Sequence, residues 1–136
     1  MPANNDSSLV QEWHEQGTTR KAVLTVTFDS GDGSFAATAL TTGHMDGHIL
    51  RVQTNPGTVA PTDQYDVTLV DDGAVDVLQG LCANRHTANT ETVNIVYAGT
   101  ALRPQVTPSD TLTLTIINNI VHSATTVITI YYSPTS

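Results

Sequence analysis

Three groups of residues in this sequence carry side chains capable of chemistry. The first is acidic: Asp63, Asp66, Asp71, Asp72 and Asp76 fall within one short run. Calcium takes about six to eight oxygens from a compact loop, usually with acids at alternating positions and a late Glu. That spacing is missing, so these aspartates read as turn formers and solvent-facing groups. The second group is His44 and His48, four residues apart. Such a pair shares one side only on a helix, and Gly43 and Gly47 argue against a helix there. The third is Cys82 with His86, also four apart. A thiolate–imidazole pair needs an orienting partner and an oxyanion hole, and nothing nearby offers either. Cys82 reads as a buried or inert thiol. There is no nucleophile elbow, phosphate-binding glycine loop or dinucleotide fingerprint. The expectation is no catalytic residue, no cofactor, no metal site and no enzymatic activity.

Composition narrows the field from another side. The 136 residues suit one domain with a real core. Threonine makes up roughly one residue in six and accompanies many Val and Ile, a mixture that suits pleated surfaces. Only 13% of residues are charged and 5% aromatic, so hydroxyls and amides do much of the solvating. Such a surface permits packing against other protein. The net charge is −8, and the five Lys and Arg residues are scattered, with only Arg20 and Lys21 adjacent. That balance argues against nucleic-acid binding. The lone cysteine forms no internal disulfide, as expected for assembly in a reducing cytoplasm. The start MPANNDSS has no signal-peptide pattern, and no apolar run reaches the ~18 residues of a membrane span.

The elements that must hold these residues read as strands. Residues 1–19 form a polar N-terminal arm anchored by Leu9, Val10 and Trp13, with at most a helical turn over 10–16. Trp13 either folds back over a sheet edge or docks on a neighbouring subunit. Residues 20–28 alternate, with Ala22, Leu24, Val26 and Phe28 facing one way. Ser30-Gly31-Asp32-Gly33 marks a turn, and 34–41 reads as the return strand. His48–Thr54 is a further strand, and Thr54–Thr62 a proline-stiffened crossover. Gly80–Thr90 is a long polar connection of the kind that passes between sheets. Residues 91–98 return to strand character, 100–110 is a loop, 111–117 alternates Leu112, Leu114 and Ile116 against threonines, and 118–123 turns. The last strand, 125–132, is apolar on both faces, which fits a central strand or one covered by a partner.

One stretch sets the architecture. Gln64–Leu78 reads as a β-hairpin turning at Asp71-Asp72-Gly73, with Gly73 left-handed, Leu69 opposite Val75 and Val67 opposite Val77. Its dry side needs a second sheet. The whole chain is then an all-β, single-domain sandwich of about eight strands over 20–136, jelly-roll or immunoglobulin-like, preceded by the arm at 1–19.

Within 52–92, Thr54-Asn55-Pro56-Gly57, Pro61-Thr62-Asp63 leading into Tyr65-Asp66-Val67-Thr68-Leu69, and Ala83-Asn84-Arg85 followed by Thr90-Glu91 resemble a segment of small all-β virion structural proteins of tailed bacteriophages. The resemblance covers the middle third of the chain. It implies a particle component with no enzymatic activity and carries over no catalytic residue. Within that segment Arg85 reads as structural, with Asp63 or Glu91 as its partner.

The expected role is a capsid decoration (cement) protein on the outer capsid surface, bridging capsomers, assembled in the host cytoplasm. Its partners would be the major capsid protein and itself, as a homotrimer, with neither nucleic acid nor membrane. Trp13, Val10, Tyr131 and Tyr132 are the interface candidates. Two other roles fit the same residues. One is a tail, baseplate or fibre-associated component. The other is a glycan-binding adhesion module, which predicts a shallow pocket with an aromatic and two or three amides near Tyr97 or Tyr131.

Overall fold

The computed structural model describes residues 5–17, 19–41, 47–95, 105–106 and 111–134. Among them are nine strands and no helix: β1 Ser8–His14, β2 Arg20–Thr27, β3 Thr38–Ala39, β4 Gly47–Pro56, β5 Asp66–Val70, β6 Glu91–Asn94, β7 Gln105–Val106, β8 Thr113–Ile117 and β9 Thr125–Pro134. The larger sheet runs β1-β2-β9-β4-β6, with the two-residue β7 also pairing β4, and the smaller runs β3-β8-β5. Every pairing is antiparallel. The chain is an all-β sandwich, as its alternation predicts.

Alternation explains how the two sheets meet. Ala22, Leu24 and Val26 of β2, Ile49 and Val52 of β4, and Ile128, Ile130 and Tyr132 of β9 are almost wholly buried on one face of the larger sheet. They join Val67 and Leu69 of β5 and Leu114 and Ile116 of β8 in one core. Each of the Val, Leu and Ile side chains among them contributes about 1.5–3 kcal/mol on leaving water. β9 lies between β2 and β4, the central place that its apolar pattern suggests. The 57–65 and 79–90 connections both pass between sheets, as expected of proline-stiffened and long polar segments.

Several local expectations need correction. The N-terminal residues make no helical turn at 10–16: Ser8–His14 is a strand paired along its full length with β2. Residues 34–41 do not form a full return strand. Only Thr38–Ala39 pairs, with β8, while Phe35 and Leu40 anchor the segment by burial. The 64–78 hairpin does not form either. β5 pairs instead with β8, Leu69 opposite Leu114, and 74–78 returns with a single bridge, Val70 to Asp76. Ala74, at φ 63°, takes the left-handed position expected of Gly73. The Asp71 carboxylate fixes this turn by accepting from the Gly73 and Val75 amides. Val75 is left exposed and Val77 buried. Within the expected 100–110 loop, Gln105–Val106 pairs with the start of β4. The strand expected at 91–98 is described only to Ile95, and His44 and Tyr97 lie outside the described residues.

Candidate functional site

The acidic run does structural work. Asp63 accepts from the Thr87 amide, Asp66 from the Asn84 amide, Asp72 from the Thr111 amide, and Asp76 from the amides of Leu69, Leu78 and Gly80. A carboxylate bonded to backbone N–H groups fixes a turn. No three His, Cys, Asp or Glu side chains converge into a metal-sized group among the described residues.

The crossover loop at 79–90 is likewise held from within. Arg85 donates to the Ala83 carbonyl, and its Nη1 lies 3.5 Å from Glu91 Oε1. Glu91 also accepts from the His86 amide. Of the two partners open in the sequence, Glu91 is the one found. His86 Nδ1 accepts from the amides of Ala88 and Asn89 at 2.9 Å each, so its imidazole caps its own loop. Cys82 is fully buried, and burial pushes its thiol up to about 12, far from the thiolate a nucleophile needs.

The outer face of the larger sheet is a candidate contact surface. The strand registers set side chains there in cross-strand rows. One row runs Val10–Thr25–Val127–Asn55, the next Glu12–Val23–Thr129–Gln53–Thr92, and the third His14–Lys21–Tyr131–Arg51–Asn94. Hydroxyls, amides and valines dominate two rows, and the charges collect in the third. A β-bulge at Leu50 brings Arg51 onto this face, opposite Tyr131. Its guanidinium carbon lies 4.3 Å from the Tyr131 ring centroid, a cation–π contact.

At the β1–β2 end of this face lies a cleft of about 460 Å³ lined by Trp13, His14, Glu15, Gln16, Thr19, Arg20, Lys21 and Tyr131. That volume falls in the usual range for small-molecule sites. Arg20 Nε donates to the Gly17 carbonyl at 3.2 Å and His14 Nε2 lies 2.6 Å from Glu12 Oε1. Both contacts fix polar groups at the mouth.

The four interface candidates separate into three environments. Val10 is 62% exposed on the outer face. Trp13 folds back on the sandwich, edge-on to Tyr132 with ring centroids 6.3 Å apart, and still reaches the cleft with Tyr131. Tyr132 is fully buried. As an interface candidate it is corrected: strand alternation turns its ring into the core, where it packs within this chain. Sequence reasoning missed Arg51, whose place on Tyr131 depends on a register only the folded sheet supplies. Arg20 and Lys21 were visible as the single adjacent basic pair.

No known protein family matches the sequence, and no curated protein does either. Among solved structures, the chain is similar to one described as the cyanophage Pam1 capsid asymmetric unit, at 20% identity and a TM-score of 0.53. The alignment covers 99% of this chain and 100% of that one. The two share a fold from end to end.

Proposed function

We propose that this protein is a phage virion structural component: a capsid decoration protein that seats the outer face of its larger sheet on the head and bridges capsomers. The observation that carries the reading is the make-up of that face. Two of its cross-strand rows hold one ionisable side chain, Glu12, among valines, threonines and amides. Protein contacts favour surfaces with few charges at their centre, because each buried charge must be desolvated. The end-to-end fold likeness to a chain described as part of a capsid supports the same reading. So does the net charge of −8, which suits a surface away from packaged DNA. The outer capsid surface, the major capsid protein as partner, a homotrimer at local threefold positions and the lack of enzymatic activity all belong to this proposal.

A contact of standard size buries about 1,600 Å², and burial across seams is what would stabilise the head. The test compares heads assembled with and without the chain. Heads lacking it should rupture at lower temperature and under milder osmotic shock, and restoring the purified chain should restore resistance. Equal resistance would remove the cement role. Labelled antibody imaged on virions would place the chain on head or tail.

A further inference from the structure

The glycan-binding alternative predicts a shallow pocket with an aromatic and two or three amides, and the cleft at Trp13 and Tyr131 differs from it in a specific way. Gln16 is its one amide side chain, and Arg20 and Lys21 stand on its wall. Arg51 adjoins them through the Tyr131 ring. These are three of the chain's five Lys and Arg residues, brought together in a protein of net charge −8. Cations gathered against an opposing overall charge select an anionic group at close range. Arg20 spends its Nε on the Gly17 carbonyl, and among the described residues no contact occupies its Nη donors, which suit a carboxylate.

The same cleft also carries Glu15, with Glu12 close by on His14. Those carboxylates repel an acidic peptide, which offers them only backbone amides in return. A sugar acid answers both sides of the cleft. Its carboxylate meets Arg20 and Lys21, its hydroxyls donate to Glu15 and Gln16, and its C–H face rests on an aromatic wall. We propose that the cleft between the β1–β2 turn and Tyr131 binds an acidic saccharide, a uronic-acid unit of a surface polysaccharide. This goes beyond the decoration role and does not depend on it, since the isolated chain carries all the residues involved.

Titration of the purified full chain with tri-galacturonate, followed through the Trp13 indole N–H resonance, tests the assignment. A neutral trisaccharide of galactose and a hexaglutamate peptide serve as the comparison ligands. The expected result is a saturable shift with tri-galacturonate alone, weakened about tenfold by Lys21→Gln and by Arg20→Gln. The unliganded spectra of both variants report that the fold is kept. Arg85→Gln, which alters a cation in the crossover loop, should leave the affinity unchanged. Equal binding of the neutral sugar or of hexaglutamate, or no saturable shift at all, would overturn the proposal. Neither result bears on head stability, so the two proposals fail separately.

Discussion

The side-chain amide of Asn119 donates to the carbonyl of Gly33, 86 residues earlier in the chain, at 2.7 Å. Its oxygen accepts from the Thr62 amide at 2.8 Å and its Nδ2 also reaches the Val121 carbonyl. One nearly buried side chain therefore ties together the turn after β2, the crossover before β5 and the loop after β8. Asn119→Ala removes these partners and strands backbone groups away from water. The expected loss is about 2–3 kcal/mol in denaturant unfolding, with an unchanged slope. A loss under half a kilocalorie would mean that the three segments are held by packing alone.

Gly33 explains why the same corner tolerates no side chain. Its φ is +79°, and a Cβ there would come within 2.7 Å of the Ile120 carbonyl carbon, a backbone atom. Gly17 shares the left-handed conformation, at φ +85°, with nothing within 4 Å. Gly17→Ala should cost about 1 kcal/mol, the conformational penalty alone. Gly33→Ala should cost clearly more, because the loop at Ile120 must also move. Equal costs in thermal unfolding would refute the close approach.

Much of this fold was legible from alternation, and the failures have physical causes. β2 and β8 were readable because their inward positions are uniformly apolar. β1 was not, because Gln11 interrupts the inward series of Leu9 and Trp13. At that edge position Gln11 is satisfied by backbone instead, its oxygen accepting from the Thr41 amide at 2.9 Å. The 64–78 segment misled because local register rules favour the nearest pairing, while β5 gains more by pairing with β8, 47 residues on. The interface candidates show the same division. Alternation leaves Val10 outside and takes Tyr132 inside, but the Arg51–Tyr131 contact depends on a bulge that no spacing announces.

Cys82 gives a prediction about pH. Burial favours its thiol over the thiolate, raising the folded value from 9.0 to about 12. Between those limits the folded chain keeps a proton that the unfolded chain has released. The stability contributed here is therefore full below pH 9 and is lost as pH rises toward 12. The unfolding midpoint of the native chain should fall across that window, and Cys82→Ala should fall less steeply. Native protein should also resist a thiol reagent at pH 8 until it unfolds. Rapid labelling without unfolding would contradict the buried site.

Tyr65, just before β5, and Thr126 of β9 form a buried polar pair, hydroxyl to hydroxyl at 3.0 Å. Burial raises the Tyr65 pKa, with the Thr126 hydrogen bond acting in the opposite direction. Tyr65→Phe leaves the Thr126 hydroxyl without this partner and should cost about 1 kcal/mol. Thr126→Val in the Tyr65→Phe background should cost less than in the native chain. Strict additivity across that cycle would show that the two hydroxyls do not couple.

The proposed docking face can be separated from the loop end by two exposed apolar residues. Val10 is 62% exposed on the outer face of the larger sheet, and Ile120 is 75% exposed in the loop after β8. Neither Val10→Glu nor Ile120→Ser should change the stability of the isolated chain by more than about 0.5 kcal/mol, because both sites already face water. On heads, the two should differ. Val10→Glu sets a second carboxylate near Glu12 within the proposed contact, and a charge desolvated there without a partner costs several kilocalories per mole, on the order of 3–5. Its occupancy on purified heads, measured by sedimentation and gel densitometry, should fall severely while that of Ile120→Ser stays at the native level. The opposite pattern would move the contact to the loop end of the sandwich and remove the sheet face from the account.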